Sequence, residues 1–462
     1  MSRFAKYSDL VKTIDPIKYL GNVTRVSGYT VESKGPQTEI GELCFIKAGK
    51  RSIPSEVIGF RDKNVILMPY GNMEGIFPGC EVTATGDHLR ISVSDELKGR
   101  IIDGMGKPID SKEEVYSKHR YSVYNNSPHP LKRVPIRNIL STGIKAIDGV
   151  LSVGKGQRIG IFSGAGVGKS TLMGMLARKV KSDVNVVALI GERGKEVGDF
   201  IRKDLGEEGL RRSVLVVATA DAPPLIRLKG AFVATAIAEY FRDKRLDVVL
   251  MMDSITRFAR AQRDVGLASG EPPAIRGFPP SVFKVIPELV ERTGTSNYGS
   301  ITAFYNVLVE ADDFAEPISD AIRGHLDGHI DLTRELANRG HYPAIDVTSS
   351  ISRVAIDVVS ERYIKFSRKI KEIIAVYKEA EELINIGAYV KGSNPRIDYA
   401  IQMIDKINIF LRQSINESYM AEETGKMLFN LFGEDEFDPI KDFNNYLSKD
   451  DYESDYLDQM TL

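Results

Sequence analysis

The stretch RIGIFSGAGVGKSTLMGMLARKV, residues 158–180, decides the fold. Its first six residues, Arg158–Ser163, are apolar and strand-like. A glycine-rich turn follows, and then a run from Thr171 to Lys179 with helical periodicity. The turn fits the phosphate-loop pattern G-x-x-x-x-G-K-[ST], except that Ser163 stands at the first glycine position. Through Ser163, Gly164, Ala165, Gly166, Val167 and Gly168 the backbone N–H groups can close around phosphate oxygens. The helix that begins near Lys169, Ser170 and Thr171 adds a partial positive charge at its N-terminus. Lys169 can reach the β- and γ-phosphates, and the Ser170 hydroxyl can ligate magnesium. ATP and Mg2+ are therefore the expected cofactors.

Outward from this loop the chain alternates apolar strands with helical stretches. Asn185–Ile190, Val214–Ala218, Val248–Asp253 and Ser300–Leu308 read as strands, and Lys169–Val180 and Lys195–Leu205 as helices. That alternation predicts an α/β domain built on a mostly parallel sheet. Two carboxylates fall at strand ends. Asp253 ends its strand, the expected place for a second magnesium-side group. Glu192 follows the strand ending at Ile190 and can polarise a water for in-line attack on the γ-phosphate. The stretch His325-Leu-Asp327-Gly-His329-Ile-Asp331 has metal-like spacing. Gly324 and Gly328 weaken any helix that would bring its histidines together, and a structural turn is the expectation.

The rest of the chain supports a multidomain protein. It has 462 residues, 42% hydrophobic and 27% charged, with a net charge of −1. No run of about 18 apolar residues suggests a membrane span, the N-terminus lacks a signal-type apolar core, and a cytoplasmic location is expected. Cys44 and Cys80 lack zinc-site spacing and read as small buried apolar residues. Residues 1–18 carry an amphipathic stripe of Phe4, Tyr7, Leu10, Val11 and Ile14, which either docks on its own domain or binds a partner. Residues 19–92 contain short β-rich runs (Val23–Val26, Leu43–Ile46, Ser55–Gly59, Asn64–Met68, Glu81–Ala84) and suggest a small closed β-barrel. Residues 93–359 hold the nucleotide motifs, and 360–432 are helical. Residues 433–462 are acidic and are expected to form a disordered tail.

On these residues the chain resembles the ATPases of flagellar and type III protein export, relatives of the rotary ATP synthase subunits. The densest stretches are LKGRIIDGMGKPID (97–110), TGIKAIDGVLSVGKGQRIGIFSGAGVGKST (142–171), LIGERGKEV (189–197), DSITRFARAQRDVGLASGEPP (253–273), RGFPPSVF (276–283) and HYPAIDVTSSISR (341–353). The resemblance implies a RecA-like core between an N-terminal barrel and a C-terminal helical domain, assembled as a homo-hexamer. It implies that Lys169 and Ser170 bind phosphate and magnesium, that Glu192 is the catalytic carboxylate and that Asp253 stands on the magnesium side. Arg193 would lie at the nucleotide site. Arg353 matches an arginine finger that reaches the neighbouring subunit's ATP. Tyr342 matches the aromatic that stacks on adenine, with Phe410 and Gln413 lining the same pocket. The implied partners are a stator-like regulator at the N-terminus, a coiled-coil central stalk, export chaperone–substrate complexes and an export gate. That gate would bring the chain to the inner membrane.

Within this family, GEPPAIRGFPPSVF and AFYNVLV favour the flagellar branch over the virulence injectisome. A ring helicase related to the termination factor Rho is a rival of another class. Residues 20–92 lack the interleaved aromatic and basic residues that stack single-stranded bases, and no nucleic-acid partner is expected.

Overall fold

The computed structural model describes residues 20–309 and 316–444. The amphipathic stretch at residues 1–18 lies outside them, as do residues 445–462 of the acidic segment.

The first strands are β1 (Leu20–Ser27), β2 (Thr30–Lys34), β3 (Glu42–Ala48), β4 (Arg51–Arg61), β5 (Asn64–Pro69) and β6 (Glu81–His88), and they close into a barrel in the order β1-β2-β5-β4-β3-β6. Alternate residues point inward. Val23, Val31, Cys44, Ile46, Val57, Leu67, Cys80 and Val82 fill the interior, so both cysteines are buried core residues. Strand β2, Thr-Val-Glu-Ser-Lys, is missing from the sequence-based expectation. Its inward residues include Ser33, which is fully buried, so no apolar alternation marks it.

Two short strands, β7 (Arg90–Ser92) and β9 (Arg120–Ser122), pair beside the barrel. Between them β8 (Ile101–Asp103) joins the large sheet. The remaining strands are β10 (Arg158–Ser163), β11 (Val184–Ile190), β12 (Ser213–Ala218), β13 (Asp247–Asp253), β14 (Gly294–Thr295), β15 (Ser300–Leu308), β16 (Gly328–Leu332) and β17 (Ile345–Ser352). Their order is β17-β16-β10-β15-β13-β11-β12-β8, with β14 paired to β15 alone. All neighbours are parallel except β14 on β15 and β17 on β16. Strands β11 and β12 are buried along their whole length, which is why they read as continuous apolar runs.

Residues 324–325 form the expected turn, but the second half of the segment differs, because Gly328–Leu332 is a sheet strand. A Cβ on Gly328 would lie 2.5 Å from the Ile351 carbonyl oxygen. The glycine that looked like a breaker is a point of close backbone approach. Asp327 is spent on Arg158, accepting from its Nε at 3.0 Å.

The barrel is tied to the sheet domain by buried ions. Glu56 on β4 pairs with Lys229 at 2.8 Å and accepts from the hydroxyls of Tyr70 and Tyr124. At the other end of the chain, helices Glu361–Asn385, Pro395–Leu411 and Ala421–Leu431 pack together. The first is capped by Ser360, whose side chain accepts from the Tyr363 N–H, and the second opens on Pro395 behind the Asn394 cap.

The acidic segment is not disordered from Gly433 onward. Pro439–Asp442 forms a short helical turn, and Phe443 is 1% exposed. Phe437 and Phe443 pack with Tyr363 and Phe429, at ring separations of 5.3–6.3 Å. A Cβ on Gly425 would lie 2.5 Å from the Phe437 ring, so the glycine leaves room for it. Asp442 accepts from the Ser360 hydroxyl at 2.9 Å, adding a polar clasp. Two aromatics anchor a stretch whose charge alone reads as unstructured. Phe443→Ala is expected to cost about 3–5 kcal/mol in chemical denaturation. A loss within ~0.5 kcal/mol would mean that the segment contributes no core.

Candidate nucleotide site

Strand β10 ends at Ser163, and the loop turns through Gly166 (φ 79°) and Gly168 (φ 93°) into helix Lys169–Lys179. Both glycines adopt left-handed backbone that other residues rarely take. Ala165 and Gly166 are exposed at the mouth and Val167 is buried beneath it, so the N–H groups of the turn and of the helix start surround an open recess. The Ser163 hydroxyl is buried without a hydrogen-bond partner.

Parallel strands deliver the carboxylates to the same end of the sheet. Asp253, last in β13, sits opposite Leu189 of β11, and Glu192 lies two residues past the end of β11. Lys169 Nζ reaches across to Asp253 Oδ1 at 2.5 Å and lies 3.8 Å from Glu192 Oε1. Lys169, Glu192 and Asp253, read separately from the sequence, thus form one cluster. Ser170 is exposed at the mouth of that recess.

Sequence reading missed Arg257 and Glu196. Arg257 pairs with Glu192 Oε2 at 3.2 Å and donates to the Gly191 carbonyl. A Cβ on Gly191 would come within 2.9 Å of the Arg257 side chain, which explains glycine there. The available signal was spacing: Arg257 lies one turn past Asp253, behind the Ser254 N-cap. Burial is the largest cause pushing the Glu192 carboxyl up to about 8. Asp253 and a hydrogen bond with Glu196 add to it, and Lys169 and Arg257 oppose it. Glu192 Oε1 has no hydrogen-bond partner. The serine hydroxyl, the Asp253 carboxylate and this orphaned oxygen are hard donors of the kind that suits Mg2+.

Tyr342 is 48% exposed beside the loop, and its ring lies 3.7 Å from where a Cβ on Gly168 would be. Gln413 is buried behind it. The Gln413 backbone N–H donates to the Tyr342 carbonyl at 3.0 Å, while its side-chain amide joins the backbone of Gly143, Lys145 and Glu417. Gln413 therefore supports the tyrosine and presents no free amide. Phe410 does not line the pocket. It is 6% exposed, and its ring fills the space left by the missing side chain of Gly149, beside Thr424. Helix Pro395–Leu411 turns the Phe410 face, with Met403 and Ile407, toward the core. Arg193 caps the next helix and points to solvent, 3.7 Å from Glu196.

Arg353 is absent from this cluster. Leu332 of β16 lies beside Ser163 on one side and Ile345 on the other, whereas Gly328 lies beside Ile159 and Ser352. Because β17 runs antiparallel, Tyr342 precedes its loop end and Arg353 follows its opposite end. The register shifts by a bulge between His329 and Asp331, so the eight residues of β17 cover only the five of β16 from Gly328 to Leu332, about 13 Å of sheet. There the Arg353 N–H donates to the Asp327 carbonyl and the side chain is exposed.

The chain was compared with known proteins. Residues 143–352 match the nucleotide-binding domain of the ATP synthase alpha/beta family, 23–86 its β-barrel domain, and 359–430 the C-terminal domain of type III secretion EscN ATPases. The chain is 51% identical over 431 residues to a flagellum-specific ATP synthase of Bacillus subtilis, covering 93% of this chain and 98% of the relative. It is 46% identical to a type 3 secretion system ATPase of Sinorhizobium fredii, covering 89% and 92%. The assembled EscN ATPase from enteropathogenic E. coli superposes with a TM-score of 0.85 at 46% identity, over 89% of this chain and 99% of that one. EscN in complex with its central stalk EscO gives 0.83 at 45% identity, with the same coverage.

Proposed function

The chain belongs to the ATP synthase alpha/beta family, in its branch of flagellar and type III export ATPases, and from that premise we propose that it hydrolyses Mg2+-bound ATP in the clefts between the identical subunits of a hexameric ring. The observation that carries the reading is the separation within one chain of the Lys169–Glu192–Asp253 cluster from Arg353, at opposite ends of the sheet. Arg353 follows the rung at Gly328, more than about 13 Å along the sheet from the rung beside Ser163, with its side chain exposed, and it does not meet the phosphate of its own loop. It can serve the loop of a neighbour.

In this reading the N–H groups of residues 164–170 and the Lys169 ammonium hold the phosphates. Lys169 exchanges its contact with Asp253 for phosphate oxygens, which frees the carboxylate. Ser170 and Asp253 would hold the Mg2+, which would neutralise phosphate charge when bound. Glu192, oriented by Arg257, positions the attacking water and accepts its proton. Tyr342 stacks on the adenine, held from behind by Gln413. Arg353 of the adjacent subunit meets the charge that develops on the transferring phosphoryl group.

Specific activity should therefore rise steeply with protein concentration as rings form, require Mg2+, and be indifferent to single-stranded RNA or DNA. A concentration-independent rate would reject catalysis at interfaces, and stimulation by nucleic acid would favour a Rho-like translocase. The raised Glu192 carboxyl gives the pH profile a sign. It must be ionised to accept a proton, so kcat/KM should climb as pH rises through about 8. The residual rate of Glu192→Gln should lack that limb. A wild-type profile already flat from pH 6 upward would remove Glu192 as the base.

Among the described residues no helix is long and apolar enough to cross a membrane. In this reading the chain works in the cytoplasm and reaches the export gate at the inner membrane through partners. These are a stator-like regulator at residues 1–18, a coiled-coil central stalk in the role EscO has for EscN, and chaperone–substrate complexes. Its work is unloading and unfolding export substrates.

A further inference from the structure

The last described residue, Asn444, is pinned. Its N–H donates to the Val358 carbonyl at 3.0 Å, and its side-chain amide reaches the carbonyls of Asp357 and Val359. Asn444 also lines a cleft of about 610 Å³ whose apolar wall is Pro135, Ile136, Val354 and Ile356, the last 62% exposed, with Arg137 and Asp357 beside it. Pro135 and Arg137 are shared with a second, larger cleft of about 970 Å³, so the two lie side by side. The larger cleft has a different chemistry. Four cations line it, Arg137, Lys155, Lys181 and Arg245, against two carboxylates, Asp183 and Asp247, the latter paired with Lys155 at 2.6 Å.

The residues that follow Asn444 have the same order of chemistry. Asn445-Tyr446-Leu447 opens on two apolar side chains. Then come Asp450, Asp451, Glu453, Asp455 and Asp458 against the single cation Lys449. Six residues of extended chain span about 20 Å, enough to carry the acids past the apolar cleft. We infer that residues 445–462 dock on their own chain along this path, with Tyr446 and Leu447 in the apolar cleft and the acidic run against Arg137, Lys181 and Arg245. The path begins beside Val354, next to Arg353, so the docked segment lies along the edge that presents that arginine.

The test uses the full chain with a photo-reactive benzophenone side chain at residue 452 (Tyr452→p-benzoylphenylalanine). Irradiation at about 50 mM salt should give intrachain cross-links to residues 134–138, 181–183 or 295–300, falling several-fold at about 0.5 M salt as charge is screened. The double change R137E/K181E should cut the yield several-fold, and adding D450K/D451K should restore it. That restoration separates lost attraction from a misfolded variant. Cross-links that fall elsewhere, ignore both charge reversals, or join isotopically distinct chains in a mixed sample would overturn the proposal, the last by making a second copy the occupant.

Discussion

Arg353→Ala should leave ATP binding intact and reduce turnover by about 10³–10⁵, the range an arginine finger contributes in related phosphoryl transfer. Glu192→Gln should be inactive too. Mixed under conditions of subunit exchange, the two dead proteins should regain hydrolysis. About a quarter of randomly formed interfaces then pair an intact Glu192 from one chain with an intact Arg353 from the next. The antiparallel register of β17 is the physical basis, since Ser352 sits beside Gly328 at the end of the sheet away from Ser163. Strict sequential firing could silence mixed rings, so wild type mixed with each mutant measures that coupling. If rings containing wild type stay active while the two mutants never complement, Arg353 does not act in trans.

The second large effect separates capture from chemistry. Lys169→Ala should abolish measurable nucleotide binding. It removes the phosphate ligand, and it also leaves Asp253 and Glu192 facing the recess with only Arg257 nearby, so the incoming triphosphate meets uncompensated acid. Glu192→Gln keeps shape and loses the proton acceptor. Its affinity should stay near wild type while turnover drops by ~10²–10⁴. Fluorescent-nucleotide titration beside a phosphate-release assay reads both. Normal turnover by Glu192→Gln would remove its catalytic role, and wild-type affinity in Lys169→Ala would remove the lysine's.

The core sheet was legible where burial is two-sided. Strands β10, β11, β12, β13 and β15 are nearly unbroken apolar runs, and the phosphate loop sits between such a strand and a helix. Legibility failed where a residue's role depends on a distant partner. Strand β16 was hidden by Gly328, whose reason is a neighbouring carbonyl, and β2 by an inward serine. Phe437 and Phe443 were lost among acids, because only Tyr363 and Gly425 give them a place. The family resemblance implies that Phe410 lines the pocket, but Gly149 makes room for it in the core. Arg257 was in plain view in the sequence, yet its contact with Glu192 needs strands β11 and β13 side by side.

Strand β17 joins the tyrosine beside one phosphate loop to the arginine assigned to the next. Its rungs to β16, Ile345 on Leu332 and Ser352 on Gly328, lie on either side of a register shift, so eight residues of β17 are held against five of β16. The surplus is a bulge, a bend in the ladder between Tyr342 and Arg353, and a displacement at the tyrosine is taken up there before it reaches the arginine. If Arg353 serves the neighbouring subunit, each subunit thus carries a joint between the tyrosine beside its own phosphate loop and the phosphate its arginine meets.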